Sequence, residues 1–276
     1  MDSNGLEKLG EYLAAHSVGA TVDFFESAES TNALALSLLE ERLAGSKVAG
    51  SFAVVAENQT AGRGRFSRKW VSRKGASICI SVAVPISRQA RAAESFTVRA
   101  GTLLCMGLRA EFLSDTFVKW PNDIYSRDGK KICGILSEFR PSRGGRQPHW
   151  AILGVGMNFD FSKLDSPLPG EISEICADLK SVSARREFTA CEAAAQIVKA
   201  AVKAAEETEN PAADLPKLFA KVDFLRGKPV CVSVGNRTLE GIACGVDASG
   251  KLALRTANGC EFIAGGEASL RTDKKI

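Results

Sequence analysis

The pattern of the sequence changes near Val222, and this change constrains the fold more than any other feature. From Lys228 onward no segment has helical periodicity, and short β-type runs alternate with Gly-Asn, Ser-Gly and Asn-Gly turns. Close-spaced strands of this kind are typical of a small β-barrel. Before Val222, helix-period segments such as 92–113 and 189–207 alternate with apolar strand-like runs. We therefore predict a helix-and-strand domain over residues 1–222 and a β domain over residues 223–276.

Composition excludes some classes of protein. The net charge is only +4, which does not by itself predict nucleic-acid binding. No apolar run approaches the roughly 20 residues needed to span a bilayer, and the polar, acidic start does not resemble a signal peptide. The chain is therefore expected to have no membrane role.

The eight cysteines form no CxxC pair. Most lie inside apolar stretches, which favours buried, reduced thiols that act as small hydrophobic residues. This interpretation applies to Cys79, Cys105, Cys133, Cys231 and Cys244. Reduced thiols indicate a cytoplasmic setting.

The segment from Gln59 to Trp70, QTAGRGRFSRKW, concentrates positive charge beside glycine. It contains four cationic side chains, two glycines and no acidic residue. Glycine lets a backbone approach a ligand closely, and arginine offers planar donors that fit phosphate or carboxylate. The segment therefore predicts a site for a small anionic molecule. It follows a short apolar strand, predicted over 51–57.

Two further local patterns place candidate residues. Ser30-Thr31-Asn32 precedes a leucine-rich helical segment and is predicted to cap that helix. Two β-rich runs, 117–125 and 131–139, flank an Asp-Gly turn at 126–129 and predict a hairpin. Trp150 to Phe159 is predicted to be a further strand, with two glycines.

Five short motifs, taken together, resemble a biotin protein ligase. They are ESTN at 29–32, the run 59–70, KWPND at 119–123, KKICGIL at 130–136 and GVGMN at 154–158. GGEASLRT at 265–272 resembles the C-terminal strand of that family. The resemblance implies a catalytic domain with a mixed β-sheet packed by helices, followed by an SH3-like β-barrel.

The resemblance also implies a reaction and its participants. The activity would be an ATP-dependent ligase that forms biotinyl-5′-AMP and then transfers biotin to a lysine of a biotin carboxyl carrier protein. ATP and biotin would be substrates, and Mg²⁺ the accompanying ion. The short stretch before the first predicted strand favours a monofunctional enzyme with no N-terminal DNA-binding domain and no DNA partner.

Site residues are implied one motif at a time. The resemblance implies that Lys131 and Arg63 are catalytic. It implies that biotin is bound by Ser30, Thr31, Asn32, Gln59, Arg63, Gly64, Arg65, Lys131 and Gly134. It implies that ATP or the adenylate is bound by Arg63, Arg65, Arg68, Trp70, Asn122, Asp123, Lys131 and Asn158, with Asp123 as a Mg²⁺ ligand.

The residue chemistry agrees with these implications. Joining a carboxylate to a phosphate brings two anions together, and positioned cations offset their repulsion. The ureido ring of biotin is polar and neutral, so uncharged donors and acceptors suit it.

Purely structural interpretations remain open beside the functional ones. Ser30 to Asn32 could be a helix cap alone, Trp70 a core aromatic, and Asn122-Asp123 a turn brace. Glycines at 134, 154 and 156 could relieve crowding between strands or permit close approach of a ligand.

Alternative functions and two properties also stay open at this stage. One alternative is a lipoate or octanoyl ligase of related fold, and another is a phosphate- or nucleic-acid-binding module that uses the arginine loop. Phe66-Ser67 replaces the Arg-Gly or Phe-Asn of other members, which puts the tightness of adenylate retention in question. The oligomeric state is undetermined between a monomer and a homodimer.

Overall fold

The computed structural model describes residues 5–45, 50–86, 90–142, 148–209 and 214–270. Its helices are α1 (Leu9–Ala15), α2 (Thr31–Ala44), α3 (Ala90–Phe112), α4 (Gly170–Ile175), α5 (Ala190–Glu209) and α6 (Leu215–Phe219). Its first seven strands are β1 (Ala20–Ala28), β2 (Ser51–Gln59), β3 (Ser77–Ile86), β4 (Thr116–Lys119), β5 (Asp123–Ser126), β6 (Lys131–Arg140) and β7 (His149–Asn158). The remaining strands are β8 (Pro229–Val234), β9 (Arg237–Val246), β10 (Leu252–Thr256), β11 (Gly259–Ile263) and β12 (Glu267–Leu270).

The larger domain is built on one mixed sheet. Its seven strands have the order β1-β2-β3-β7-β6-β5-β4. β1 and β2 are parallel, and every other neighbouring pair is antiparallel. Side chains alternate between the two faces of each strand, so the sheet can be covered on both sides. The predicted mixed sheet with packed helices is confirmed.

The two faces of this sheet are covered unequally. α1, α3 and α5 pack on one face, where Ile78, Ile80 and Leu153 belong to the main core. α2 packs alone on the opposite face, over Phe52, Ala83 and their neighbours. One helix cannot cover the whole face, so the part of the sheet beside the N-terminus of α2 is available for a site.

One predicted strand is wrong. The sequence predicts a single strand over 117–125, but β4 and β5 form an antiparallel pair with Lys119 opposite Asp123. The chain reverses at Trp120-Pro121-Asn122. Pro121 has no backbone N–H to donate to a ladder, so it is unsuited to a strand interior. The hairpin turn predicted at 126–129 is confirmed, with Gly129 at a φ of +85°.

The second sheet is the smaller domain. Its five strands are all antiparallel, in the order β11-β10-β9-β8-β12. This confirms the predicted small β domain. α6 ends at Phe219 and β8 begins at Pro229. The domain boundary at 222/223 stays a prediction.

The cysteine prediction is correct for the larger domain and wrong for part of the smaller one. All eight thiols are free, and Cys79, Cys105 and Cys133 are buried as expected. Cys231 is only half-buried and Cys244 is exposed. In a small β domain one face of each strand meets solvent, so an apolar sequence does not ensure burial.

No helix within the described ranges is long and apolar enough to cross a membrane. The long helices instead have one apolar face toward the sheet, as their packing shows.

The link between the two domains contains a half-buried aspartate, Asp223. Asp223 Oδ1 accepts a hydrogen bond from the backbone N–H of Leu225, at 2.9 Å. Its Oδ2 is buried and has no hydrogen-bond partner among the described residues. Burial raises the pKa of Asp223 from 3.8 to about 6. The charged form is therefore disfavoured in the folded protein.

We expect Asp223→Asn to stabilise the protein at pH 7.5 by on the order of 1–3 kcal/mol. Between pH 3.8 and about 6 the folded state binds more protons than the unfolded state, so wild-type stability falls as pH rises through this window. The gain from Asn should therefore shrink toward pH 4. Urea unfolding at several pH values measures it, with the exposed Asp165→Asn as control. A gain that does not depend on pH would contradict this explanation.

Candidate active site

Small residues leave a depression in the face of the larger sheet on which α2 packs. Gly154 on β7 lies opposite Ser81 on β3, and Gly156 lies opposite Gly134 on β6. Residues two apart on a strand point to the same face, so these positions form one patch. A Cβ at Gly154 would lie within 3.0 Å of the Asn32 side chain, and one at Gly156 within 3.0 Å of the Trp70 ring. The missing side chains leave room for both groups.

A polar cluster forms one end of this depression. Gln59 Oε1 accepts hydrogen bonds from Thr31 N at 2.8 Å and from Thr31 Oγ1 at 3.2 Å. The hydroxyl of Ser81 lies 2.7 Å from Thr31 Oγ1 and 2.6 Å from Asn32 Oδ1. Asn32 Nδ2 donates to Leu136 O at 3.1 Å. These groups are neutral, so this end suits an uncharged polar ligand.

The helix-cap prediction is half right. Ser30 occupies the N-cap position of α2 with extended backbone angles, but its side chain makes no capping hydrogen bond. Ser30, Thr31 and Asn32 are all buried and line the cavity. The functional interpretation of this segment therefore explains its polar side chains better than capping does.

The arginine segment forms a small hairpin over the depression. Gly64 N donates to Arg68 O at 2.7 Å, and Trp70 N donates to Gly62 O at 2.9 Å. The tip contains two consecutive residues with positive φ, Phe66 at 54° and Ser67 at 58°. The four charged side chains of this hairpin thus surround the cavity.

The arginines of the hairpin have different partners. Arg63 Nη2 lies 3.6 Å from Glu138 Oε1. Arg65 donates to Asn122 Oδ1 at 3.0 Å, and burial lowers the pKa of its guanidinium. Arg68 Nη1 donates to Glu267 Oε1 at 2.8 Å, and this hydrogen bond lowers the pKa of Glu267. The last contact connects the hairpin to β12 of the smaller domain.

Cations also gather at the end of the depression away from the polar cluster. Lys131 Nζ lies 2.8 Å from Asp123 Oδ1 and 5.8 Å from the centre of the Trp70 ring. Lys119, next to them on β4, donates to Tyr125 Oη at 3.4 Å. Burial lowers the pKa of Lys119. This end therefore suits an anion.

The structure brings almost all the predicted site residues to one cavity. Its lining includes Ser30, Thr31, Asn32, Gln59, Arg63, Gly64, Arg65, Arg68, Trp70, Asn122, Asp123, Lys131 and Gly134. Asn158 is the exception: it does not line the cavity, and its amide donates to Lys131 O at 3.2 Å and to Ala177 O at 3.1 Å. Asn158 therefore supports the backbone of Lys131. The last two residues of the 265–272 motif lie outside the described residues.

Comparison with known proteins agrees with this geometry. The sequence model of the Biotin/lipoate A/B protein ligase family matches residues 24–158, and that of the Biotin protein ligase C terminal domain matches residues 226–271. The chain is 30% identical over 247 residues to the biotin--[acetyl-CoA-carboxylase] ligase of Paracoccus denitrificans, covering 87% of this chain and 96% of that protein. The chain belongs to the biotin protein ligase family.

Two further proteins are similar to this family member, one in sequence and one in fold. The bifunctional ligase/repressor BirA of Escherichia coli is 29% identical over 259 residues, which cover 93% of this chain and 76% of BirA. The biotin protein ligase from Aquifex aeolicus, solved in complex with biotin and ATP, aligns with a TM-score of 0.67 at 23% identity. The alignment covers 91% of this chain and 98% of that one, which shows a shared fold.

Three functional candidates were missed from the sequence: Lys119 and Glu267, which line the cavity, and Ser81, which is fully buried and bonds to Thr31 and Asn32. Lys119 belongs to KWPND but received no role, although it lines the cavity. Ser81 lies within an apolar strand, and only its polarity at a core-like position could have indicated it. Glu267 is 199 residues from its partner Arg68, and no local pattern predicts such a pair.

We expect Ser67→Asn to slow release of the biotin adenylate about two- to fivefold. A left-handed residue other than glycine is strained by about 1–2 kcal/mol, and asparagine adopts this conformation more readily than serine does. The substitution should therefore favour the closed hairpin. Dissociation of labelled adenylate measures the effect. Ser17, which is exposed and has a φ of 54°, gives the matched control Ser17→Asn. Equal release from wild type and Ser67→Asn would contradict the strain argument.

Proposed function

We propose that this protein is an ATP-dependent biotin–protein ligase. The observation that carries the proposal is one cavity with a neutral polar end, a cationic end and a glycine floor, in a chain of this family. Biotin has the complementary form, since a neutral ureido ring lies at one end and a carboxylate at the other. Its carboxylate would then meet the phosphates of ATP among the cations.

The residues of the polar end would hold the ureido group. Thr31, Asn32, Ser81 and Gln59 supply uncharged donors and acceptors within one hydrogen-bonded cluster. Each is fixed by the others, so the binding geometry exists before the ligand arrives. Gly134 and Gly64 would allow close approach to the backbone.

The first chemical step would join two anions. The biotin carboxylate oxygen attacks the α-phosphorus of ATP, the bond to the bridging oxygen breaks, and pyrophosphate leaves. Lys131 would lie between the carboxylate and the α-phosphate, with Arg63 and Arg65 stabilising the developing charge. No nucleophilic side chain is needed, because the substrate supplies the nucleophile.

Mg²⁺ fits this site as an ion carried by the nucleotide. No group of three or more potential metal-ligating side chains occurs in the described part of the chain. Mg²⁺ at nucleotide sites usually keeps several waters and binds one or two carboxylates plus phosphates. Asp123 can supply one such oxygen, and Mg²⁺ would neutralise charge on the leaving pyrophosphate.

The second step would consume the adenylate. The neutral amine of an acceptor lysine attacks the biotin carbonyl carbon, the bond to the phosphate oxygen breaks, AMP leaves, and the amine releases a proton. The acceptor we propose is the biotin carboxyl carrier domain of a carboxylase. We propose the cytoplasm as the setting of the reaction, because ATP and this acceptor are both available there.

ATP–pyrophosphate exchange with biotin, with lipoate and without acid tests the proposal. We expect exchange that requires biotin, followed by a mass increase of an unmodified carrier domain when ATP and biotin are added. Exchange with lipoate alone would keep the chemistry and change the substrate to that of the related ligases. Exchange with neither acid would overturn the proposed function.

A further inference from the structure

The turn between β9 and β10 inserts into the larger domain beside the active site. Trp120, which is only 2% exposed, donates from Nε1 to the carbonyl oxygen of Gly250 at 3.0 Å. Gly250 has a φ of +80°, and a Cβ there would lie 3.2 Å from Val98 Cβ on α3. The turn is therefore held between KWPND and α3, with little room for a side chain.

This turn is internally rigid. Asp247 Oδ1 accepts hydrogen bonds from the backbone N–H groups of Ser249 and Lys251, each at 2.9 Å. Gly250 N donates to Asp247 O at 3.0 Å. Because the loop is fixed by its own bonds, it can define the position of a side chain that binds to it.

Trp120 is directly connected to the anionic-ligand end of the cavity. Lys119 precedes it in the chain and Asn122 follows two residues later, and both line the cavity. Asn122 is held against β6 by two hydrogen bonds: its Nδ2 donates to Ile135 O at 2.8 Å, and Ile135 N donates to Asn122 O at 2.9 Å. Asn122 Oδ1 also accepts a hydrogen bond from Arg65. A shift of Trp120 would therefore displace groups that face the nucleotide.

The polar end of the cavity does not depend on this contact. Thr31, Gln59 and Ser81 belong to α2, β2 and β3, and they bond to one another. None of these elements contacts the turn through the bonds described above. The two ends of the cavity should therefore respond differently when the turn is disturbed.

We propose that Trp120 is a positioning residue that couples the seating of the β9–β10 turn to the geometry of the nucleotide end. The inference rests on the proposed function, which assigns ATP to that end. The smaller domain then contributes to adenylation through the carbonyl of Gly250, in addition to the Arg68–Glu267 contact above the cavity. Glycine is needed at position 250 because the residue there must direct its carbonyl toward Trp120, and a Cβ would crowd Val98 on α3.

Two substitutions disturb the hydrogen bond between Trp120 and Gly250, one from each partner. Trp120→Phe removes the N–H donor and keeps an aromatic ring, whereas Gly250→Ala strains the turn and pushes it away from Val98. Gly235→Ala is the matched control, because Gly235 lies in the neighbouring β8–β9 turn with a φ of +56° and nothing within 4 Å of its Cβ position. Both alanine variants have similar backbone strain, but only one disturbs the docked turn.

The measurements are the KM for ATP in biotin-dependent pyrophosphate exchange and the biotin Kd by calorimetry without nucleotide. We expect the KM for ATP to rise about 10-fold in Trp120→Phe and Gly250→Ala. The biotin Kd should stay within about twofold of wild type, and Gly235→Ala should behave as wild type.

An unchanged KM for ATP in both variants, with an active wild type, would overturn the positioning role and leave the ligase assignment intact. An equal rise in the biotin Kd would also overturn it, because a general structural effect would then explain the loss. A wild-type protein without biotin-dependent exchange would overturn the proposed function and this inference together.

Discussion

Lys131→Ala is expected to lower the rate of biotin-dependent pyrophosphate exchange about 10²–10³-fold. Lys131 Nζ lies in the cavity beside Asp123, at the end where the two anionic reactants would meet. Its charge is needed most when the carboxylate and phosphate approach each other, so removal should affect the chemical step more than biotin binding. Exchange kinetics and calorimetric biotin binding measure the two effects separately.

The neighbouring lysine provides the control. Lys130 Nζ donates to Ser173 O at 3.0 Å and does not line the cavity, so Lys130→Ala should keep near-normal exchange. Loss of Lys131 also leaves the Asp123 carboxylate facing the phosphates without its partner. Adding Asp123→Asn removes that charge but also the oxygen proposed to hold Mg²⁺, so we expect no recovery of exchange in the double variant. Equal losses in the Lys130 and Lys131 variants would contradict the assigned role.

The motifs that line the cavity could be recognised in the sequence because each motif is local and chemically distinctive. The arginine hairpin, the KWPND segment and the alternating glycines of GVGMN could each be found without knowing the fold. Gly154 and Gly156 lie two residues apart on β7 and therefore point to one face of the sheet. What the structure adds is the pairing of Gly156 with Gly134, which brings β6 and β7 together beneath Trp70.

The incorrect and absent predictions have physical causes that a local sequence pattern does not contain. The segment predicted as one strand over 117–125 has β-type residues at both ends, but Pro121, Asn122 and Asp123 between them favour a turn. Cys244 was expected to be buried because its neighbours are apolar, yet burial in a five-stranded domain depends on which face each residue occupies. The contacts of Trp120 with Gly250 and of Arg68 with Glu267 join the two domains across 130 and 199 residues. Such pairs follow from tertiary packing alone.

Gly154→Ala is expected to weaken biotin binding about 10²-fold, the second-largest effect. The new Cβ would lie within 3.0 Å of three atoms of the Asn32 side chain. Asn32 has little freedom to retreat, because its amide bonds Leu136 O and Glu138 Oε1 and its carbonyl oxygen lies beside Ser81. Overpacking of this kind costs about 1–3 kcal/mol, and displacing Asn32 also disrupts the cluster proposed to hold the ureido ring.

Gly50→Ala supplies the control, since Gly50 precedes β2 and nothing lies within 4 Å of its Cβ position. Biotin Kd by calorimetry and the thermal midpoint should be measured on both variants. We expect Gly154→Ala to lose affinity while ATP alone still protects the protein against heat, because Lys119, Asn122 and Lys131 at the nucleotide end bond to groups other than Asn32. A Gly154→Ala protein with normal biotin affinity would mean that the cluster does not contact the ligand. The glycines of the floor would then serve strand packing, and the ureido ring would have to bind elsewhere in the cavity.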